Sequence, residues 1–299
     1  MNRQQLHQIN ANAHANTFHP GALAWPESFD AAELDYLSRV AFGESGHERK
    51  AIVYITKELA QLAEIERHVS AVLTYVLSEL QGDTTPLAEG YELHHGLTCF
   101  AAEELQHANM FYRYVRLLSG TDFRYADNLF ERRVSPYQGS DSPYVKLAAL
   151  CCSAYIGESV ITVFERRSRA MDPEMKFFFT RLLHWHGLDE ARHIQMDHFV
   201  FDHVIPTLND AEKRRMRQIL DATEAMNTEL AMRFEAYAKQ YFDLDYTADN
   251  PGHATQLALT LKFRHLVFGE QIIRKVDDVM SDEDRRMIED FSHSSVVHA

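Results

Sequence analysis

The chain has 299 residues with only 12 Gly and 8 Pro, where average usage puts these two types at roughly 12 % together. So few backbone breakers exclude a sandwich, barrel or propeller, and 45 % hydrophobic with 25 % charged residues excludes disorder. A net charge of −14, with no basic run longer than Arg166-Arg167-Ser168-Arg169 or Lys213-Arg214-Arg215, makes nucleic acid and anionic membrane poor partners.

Residues 1–29 are polar, contain Pro20 and Pro26, and read as an arm, with a short helix after it over Asp30–Phe42. From about Glu48, Ile55, Leu59, Leu62, Glu66, Val69, Leu73 and Val76 recur at spacings of three and four, which predicts a helix ending near Gly82. Thr84-Thr85-Pro86 is a turn. A second helix carries Leu93, Leu97, Phe100, Glu104, His107, Phe111, Tyr114 and Leu118 on one stripe and ends before Gly120. Residues 120–142 have weak periodicity and read as a long connection. A third helix places Tyr144, Leu147, Cys151, Tyr155, Glu158 and Ile161 on one face. Asp172-Pro173 reads as an N-cap and first position, opening a fourth helix with the stripe Phe179, Leu182, His186, Glu190, His193, Asp197 and Val200.

Two long hairpins joined by one long crossover predict an all-α protein: a ferritin-like four-helix bundle with its crossover between helices 2 and 3. Additional C-terminal helices are expected from Asn209 or Asp210 to Phe242, from Ala254 to Val279, and from Asp282. All of this forms one domain: residues 1–47 as arm and short helix, 48–205 as a di-metal bundle, and 206–299 as flanking helices.

Each bundle stripe carries ionisable residues near its middle, where burial without a partner costs several kcal/mol. They are Glu66, then Glu104 with His107, then Glu158, then Glu190 with His186 and His193. A Glu on each of two helices and Glu-x-x-His on each of the other two is the carboxylate-bridged di-iron or di-manganese arrangement. Carboxylate oxygens can bridge two hard cations, while imidazoles cap them and leave room for dioxygen.

Spacing alone is weak evidence, because 24 Glu and 17 His produce about one such pair by chance and the sequence has four. Glu44/His47 straddles Gly46, and Glu92 is rotated roughly 120° from the stripe of Glu104. Depth is the second filter. The midpoint of Glu66 and Glu104 is position 85, and that of Glu158 and Glu190 is position 174, so both fall on turns found independently from Gly and Pro. Glu64 misses its stripe, and the midpoint of Glu165 with Glu190 falls inside the fourth helix.

Around this set, Glu103 and Asp189 each stand four residues before a His and can orient it. Asp197 continues the metal stripe, and Tyr155 lies one turn before Glu158 as an oxidisable neighbour. Phe100, Phe111, Tyr155, Phe164 and Trp185 would suit a dry pocket, and Arg67 or Arg192 could meet a substrate carboxylate. Cys99, Cys151 and Cys152, an odd number on helical segments, fit free thiols in a reducing, cytoplasmic setting. The longest stretch free of charge and His, Leu147 to Gly157, is too short to span a bilayer, and the N-terminus shows no apolar signal segment.

The set Glu66, Glu104-x-x-His107, Glu158 and His186-x-x-Asp189-Glu190-x-x-His193 resembles the p-aminobenzoate N-oxygenase family of di-iron arylamine oxygenases. In that family a third His, one turn before the last Glu, separates the site from six-ligand relatives. The first box departs slightly, reading Glu103-Glu104-Leu105-Gln106-His107 where the family has Asp in front. The resemblance implies two Fe ions cycling between Fe2+ and Fe3+, with Mn possible on the same donors. It also implies activation of O2 at a Glu4His3 centre and N-oxygenation of an aromatic or other small amine to hydroxylamine and nitro products, with an external electron donor and a homodimer. Other di-iron oxidases (a desaturase, a C-hydroxylase, a radical-generating reductase subunit) and ferritin-like iron storage or metal sensing stay open.

Overall fold

The computed structural model describes residues 3–15, 19–83, 91–125 and 130–268. The helices are α1 (Arg3–Ala15), α2 (Ala31–Phe42), α3 (Glu48–Leu80), α4 (Glu92–Ser119), the short α5 (Phe130–Val134), α6 (Pro143–Met171), α7 (Phe178–His203), α8 (Asp210–Phe242) and α9 (Pro251–Phe268), with no strand among the described residues. The predicted turn at Thr84-Thr85-Pro86, the end of the helix toward Val279 and the helix from Asp282 lie outside the described residues.

α3 pairs with α4 and α6 with α7, and the hairpins close on each other through α3 with α6 and α4 with α7, which is the expected four-helix bundle. α8 covers α6 and α3, α9 packs on α6 and α2, and α2 packs on α3. α6 is long and apolar enough to cross a membrane by length and composition, yet it is a largely buried bundle helix with Glu158 in its middle.

Several boundaries follow from local chemistry. Asp30 caps α2 by accepting the Glu33 N–H at 2.8 Å, and Asn209 with Glu212 forms a capping box at α8. The polar N-terminal arm is a correction: its residues 3–15 are α1, which lays Leu6, Ile9 and Ala13 on α4 and α7. A helix so polar is held by that narrow stripe and by Asn10, whose amide donates to Glu92. Gly96 permits the close approach, because a Cβ there would stand 2.4 Å from Met196 Cε and 2.9 Å from Asn10 Oδ1.

Asp172 is a second correction. It ends α6 rather than opening the next helix, and its carboxylate accepts the N–H groups of Lys176 and Phe177, each at 2.9 Å. α7 starts at Phe178, where Glu33 from α2 takes the next two N–H groups, those of Phe178 and Phe179, each at 2.8 Å. Two carboxylates thus satisfy four successive donors at a buried helix start. The connection over 120–142 contains α5 and a 3-10 turn over Ser135–Tyr137.

The apolar core is in two parts. One holds Val69 to Leu80 of α3, Leu93 to Ala101 of α4 and Met196 to Phe201 of α7. The other holds Ala51 to Ala63 of α3, Ala108 to Leu118 of α4 and Phe178 to Leu183 of α7. The layer between them contains Glu66, Glu103 to His107, and His186 to His193. The fold therefore sets a slab of charge between two apolar halves.

Candidate metal centre

All seven residues expected to hold metal are buried: Glu66, Glu104, His107, Glu158, His186, Glu190 and His193. Donor atoms of Glu66, His107, His186 and Glu190 lie within 4.8 Å of one another, and so do those of Glu104, His107, Glu190 and His193. The two sets share His107 and Glu190, which makes two adjoining donor pockets. Glu158 belongs to neither set; it faces the same cavity and lies against Asp197.

Each imidazole points one nitrogen inward and rests the other on a carboxylate. His107 Nδ1 is 3.1 Å from Glu66 Oε2 and 3.2 Å from Glu190 Oε1, while Nε2 meets Asp189 Oδ2 at 3.0 Å. His186 Nε2 is 3.2 Å from Glu66 Oε1 and 3.0 Å from Glu190 Oε1, while Nδ1 meets Glu165 Oε1 at 2.9 Å. His193 Nδ1 is 3.0 Å from Glu104 Oε1, while Nε2 meets Glu103 Oε2 at 2.9 Å. An outer carboxylate that takes the N–H leaves the inner lone pair for a cation. Buried Arg192 spans Glu103, at 2.6 Å, and Asp189.

The inner atoms are poorly served by hydrogen bonds. Glu158 Oε2, Glu190 Oε1 and His193 Nδ1 are buried without a hydrogen-bond partner, although carboxylate and imidazole atoms crowd around them. Such atoms converge where something other than a proton is to be bound. Four carboxylates also supply the charge of two divalent ions, and hard oxygens with imidazoles suit iron, with manganese permitted by the same donors.

Electrostatics tell the same story. Burial first, then Glu66, pushes Glu104 up to about 8. Burial first, then Asp197, holds Glu158 well above the usual carboxylate range. Burial alone would raise Glu190 as well, but the imidazoles of His186 and His193 hold it well below. Burial would lower His107, His186 and His193, and the surrounding carboxylates raise all three. Without cations, the cluster keeps protons that an exposed set would have released.

Some neighbours differ from expectation. Glu165, set aside on depth, is the outer partner of His186; its signal was its place two turns after Glu158 on the α6 stripe. Of the five aromatics expected around the pocket, only Phe164 lines it. Phe100 stacks on His193 at 3.8 Å and Phe111 packs on His186 at 4.9 Å. The Tyr155 ring rests on His198 and Phe201, and Trp185 is at the surface. Arg192 is bound to carboxylates, and Arg67 lines a surface groove with Arg113, Arg116 and Arg124. Neither reaches the cavity over the cluster.

That cavity has a volume of about 450 Å³ and runs between α3, α6, α8 and α9. Glu66, Glu104, Glu158, His186 and Glu190 form its floor, and Ile55, Leu59, Leu62, Val160, Phe164 and Phe179 are among its walls. Its rim includes Met232, Leu257 and Leu261, large apolar residues that are exposed.

A ferritin-like bundle with a buried carboxylate and histidine cluster defines a dioxygen-dependent di-metal oxidase or oxygenase. The family model of the p-aminobenzoate N-oxygenase AurF matches residues 44–250, and the chain belongs to that family. Among solved structures it is similar to an R2-like ligand-binding oxidase with an aerobically reconstituted Mn/Fe cofactor, with TM-score 0.56 and 13 % identity over 90 % of this chain and 94 % of that one. A second variant of the same oxidase, reconstituted anaerobically, gives TM-score 0.51 and 15 % identity over 86 % and 92 %. No curated protein sequence matches the chain.

Proposed function

We propose that the chain N-oxygenates an arylamine or a related small amine at a two-iron centre held by Glu66, Glu104, His107, Glu158, His186, Glu190 and His193. The observation that carries this reading is His186. Its Nε2 faces Glu66 and Glu190 inside the cluster, so a third imidazole reaches the donors. Family membership supports the same chemistry.

Two iron ions bound there supply the reductive activation of dioxygen. The protein's own part is positioning. Asp189, Glu165 and Glu103 fix the three imidazole rings, and Arg192 offsets the charge of two of these carboxylates. Phe100 and Phe111 close the cluster against water on the α4 side. A planar amine enters between α6 and α9, lays its apolar body on Leu62, Ile161 and Phe164, and presents nitrogen to the face formed by Glu66, Glu158 and His186. The reading carries an external electron donor, a homodimer and a cytoplasmic setting; free Cys99, Cys151 and Cys152 fit the last.

The test is anaerobic loading with two equivalents of Fe(II), then an oxygen pulse with and without arylamine, and mass analysis of the products. Hydroxylamine or nitro product carrying oxygen from O2 is the expected result. Mineral-like iron oxide, or attack on carbon alone, would refute the proposal.

A further inference from the structure

Two histidines that miss every bundle stripe face each other at the surface. His14, near the end of α1, and His95, in the first turn of α4, approach Nε2 to Nε2 at 2.8 Å with ring centroids 4.9 Å apart. Cys99 stands one turn after His95 on the same face of α4, as i and i+4 neighbours do. The three donor atoms, two imidazole nitrogens and one thiol sulfur, lie within 4.8 Å of one another. None belongs to the buried cluster, and all three are at least partly open to solvent.

We propose that His14, His95 and Cys99 form a separate site for a borderline-soft divalent cation of the zinc class, with its fourth position open to water, which clamps α1 onto α4. The donor set decides the metal. Two imidazoles and a thiolate are typical zinc ligands, whereas iron(II) and manganese favour the oxygen-rich cluster, so the two sites sort cations by ligand softness. The geometry is close to what such an ion needs. Bonds of about 2.0–2.1 Å to nitrogen and 2.3 Å to sulfur in a tetrahedron put donors between three and four ångströms apart, so the nitrogens have only to separate slightly. Without a cation the pair makes one N–H···N contact. With one, both nitrogens and the sulfur are used, and the Cys99 thiol proton passes to solvent.

The site has a structural consequence. α1 is a polar helix of 13 residues that contacts α4 and α7, the two helices that carry five of the seven proposed iron ligands. A cation shared by α1 and α4 would hold this cover over the bundle.

The reporter is cobalt(II) titrated into the metal-free protein, because a thiolate on cobalt gives a near-ultraviolet charge-transfer band that carboxylate and imidazole ligands do not. The band is expected to saturate at one ion per chain, to be bleached by zinc, and to be lost in both Cys99→Ser and His14→Ala. Zinc content falls by one ion per chain in the same variants, while their iron loading at the bundle cluster is unchanged and shows that they fold. Absence of the band at saturating cobalt overturns the site. So does a band that survives Cys99→Ser, or one lost in Cys99→Ser but kept in His14→Ala, since that would leave α1 out of the ligand set.

Discussion

Glu165 Oε1 meets His186 Nδ1 at 2.9 Å, and the residue after that histidine is Gly187, where a Cβ would stand 2.2 Å from Glu165 Oε2. The missing side chain on α7 makes room for a carboxylate from α6. That carboxylate holds the ring of His186, the third imidazole of the buried cluster. Gly187→Ala should therefore behave like Glu165→Ala. The helix gains propensity worth about 0.5–1 kcal/mol, yet the carboxylate is pushed off His186. Loss of such an outer partner typically weakens metal binding about 10–100-fold. Iron titration with parallel melting curves checks this; unchanged affinity in both variants would show that Glu165 does not position His186.

Removing metal should change how stability responds to pH. In the metal-free fold Glu104 is pushed up to about 8, Glu158 lies well above 4.5, and His107, His186 and His193 lie well above 6.5. Each group binds its proton more tightly folded than unfolded, so its stabilisation is present below the unfolded value and is lost as pH rises through the folded one. Glu190 and Asp189 have the opposite sign but act below 4.5 and 3.8. The metal-free protein should thus melt at progressively lower temperature between pH 6 and 9, and iron affinity should climb over the same interval as protons leave. Calorimetry showing a metal-free melting point that rises with pH would contradict this account.

The start of α7 offers a stability test away from the metals. Glu33→Ala leaves the buried N–H groups of Phe178 and Phe179 without their acceptor. The expected cost is about 2 kcal/mol or more, read from denaturant melts. Glu33→Gln, which keeps one acceptor oxygen, should recover part of it.

The cavity above the cluster makes a separable prediction about substrate. Ala231 lines it from α8, a helix that carries none of the proposed ligands, and Ala231→Phe should fill part of the path. Steady-state rates should show the KM for an arylamine raised by an order of magnitude or more, with iron content unchanged. An unaltered KM would mean the amine travels by another route.

The stripes of buried Glu and His were legible because burial of charge on a helix leaves a periodic trace, whereas the depth rule set aside Glu165, which reaches the cluster from a different level. Asp189 and Glu103 were legible as partners of imidazoles, but their offset named the wrong rings: each reaches across to the other helix, Asp189 to His107 and Glu103 to His193, a pairing set by the α4 to α7 separation. Glu165 was not, since its contact depends on the α6 to α7 separation and on the absence of a side chain at Gly187. Nor was α1, whose narrow stripe of Leu6, Ile9 and Ala13 is hidden among polar residues. Asp172 misled because one residue type can close one helix and cap the donors that lead into the next. Phe100 and Phe111 were placed on the right stripe but in the wrong role, as supports for imidazoles rather than walls for substrate.

The central claim is that seven side chains hold two ions, with His186 among the ligands. Crystals of the Fe(II)-loaded protein, measured on both sides of the iron absorption edge, test it most directly. The account predicts two anomalous peaks between Glu66, Glu104, His107, Glu158, His186, Glu190 and His193, with His186 Nε2 within bonding distance of one. A single peak, or two peaks with His186 turned away from both, would contradict it.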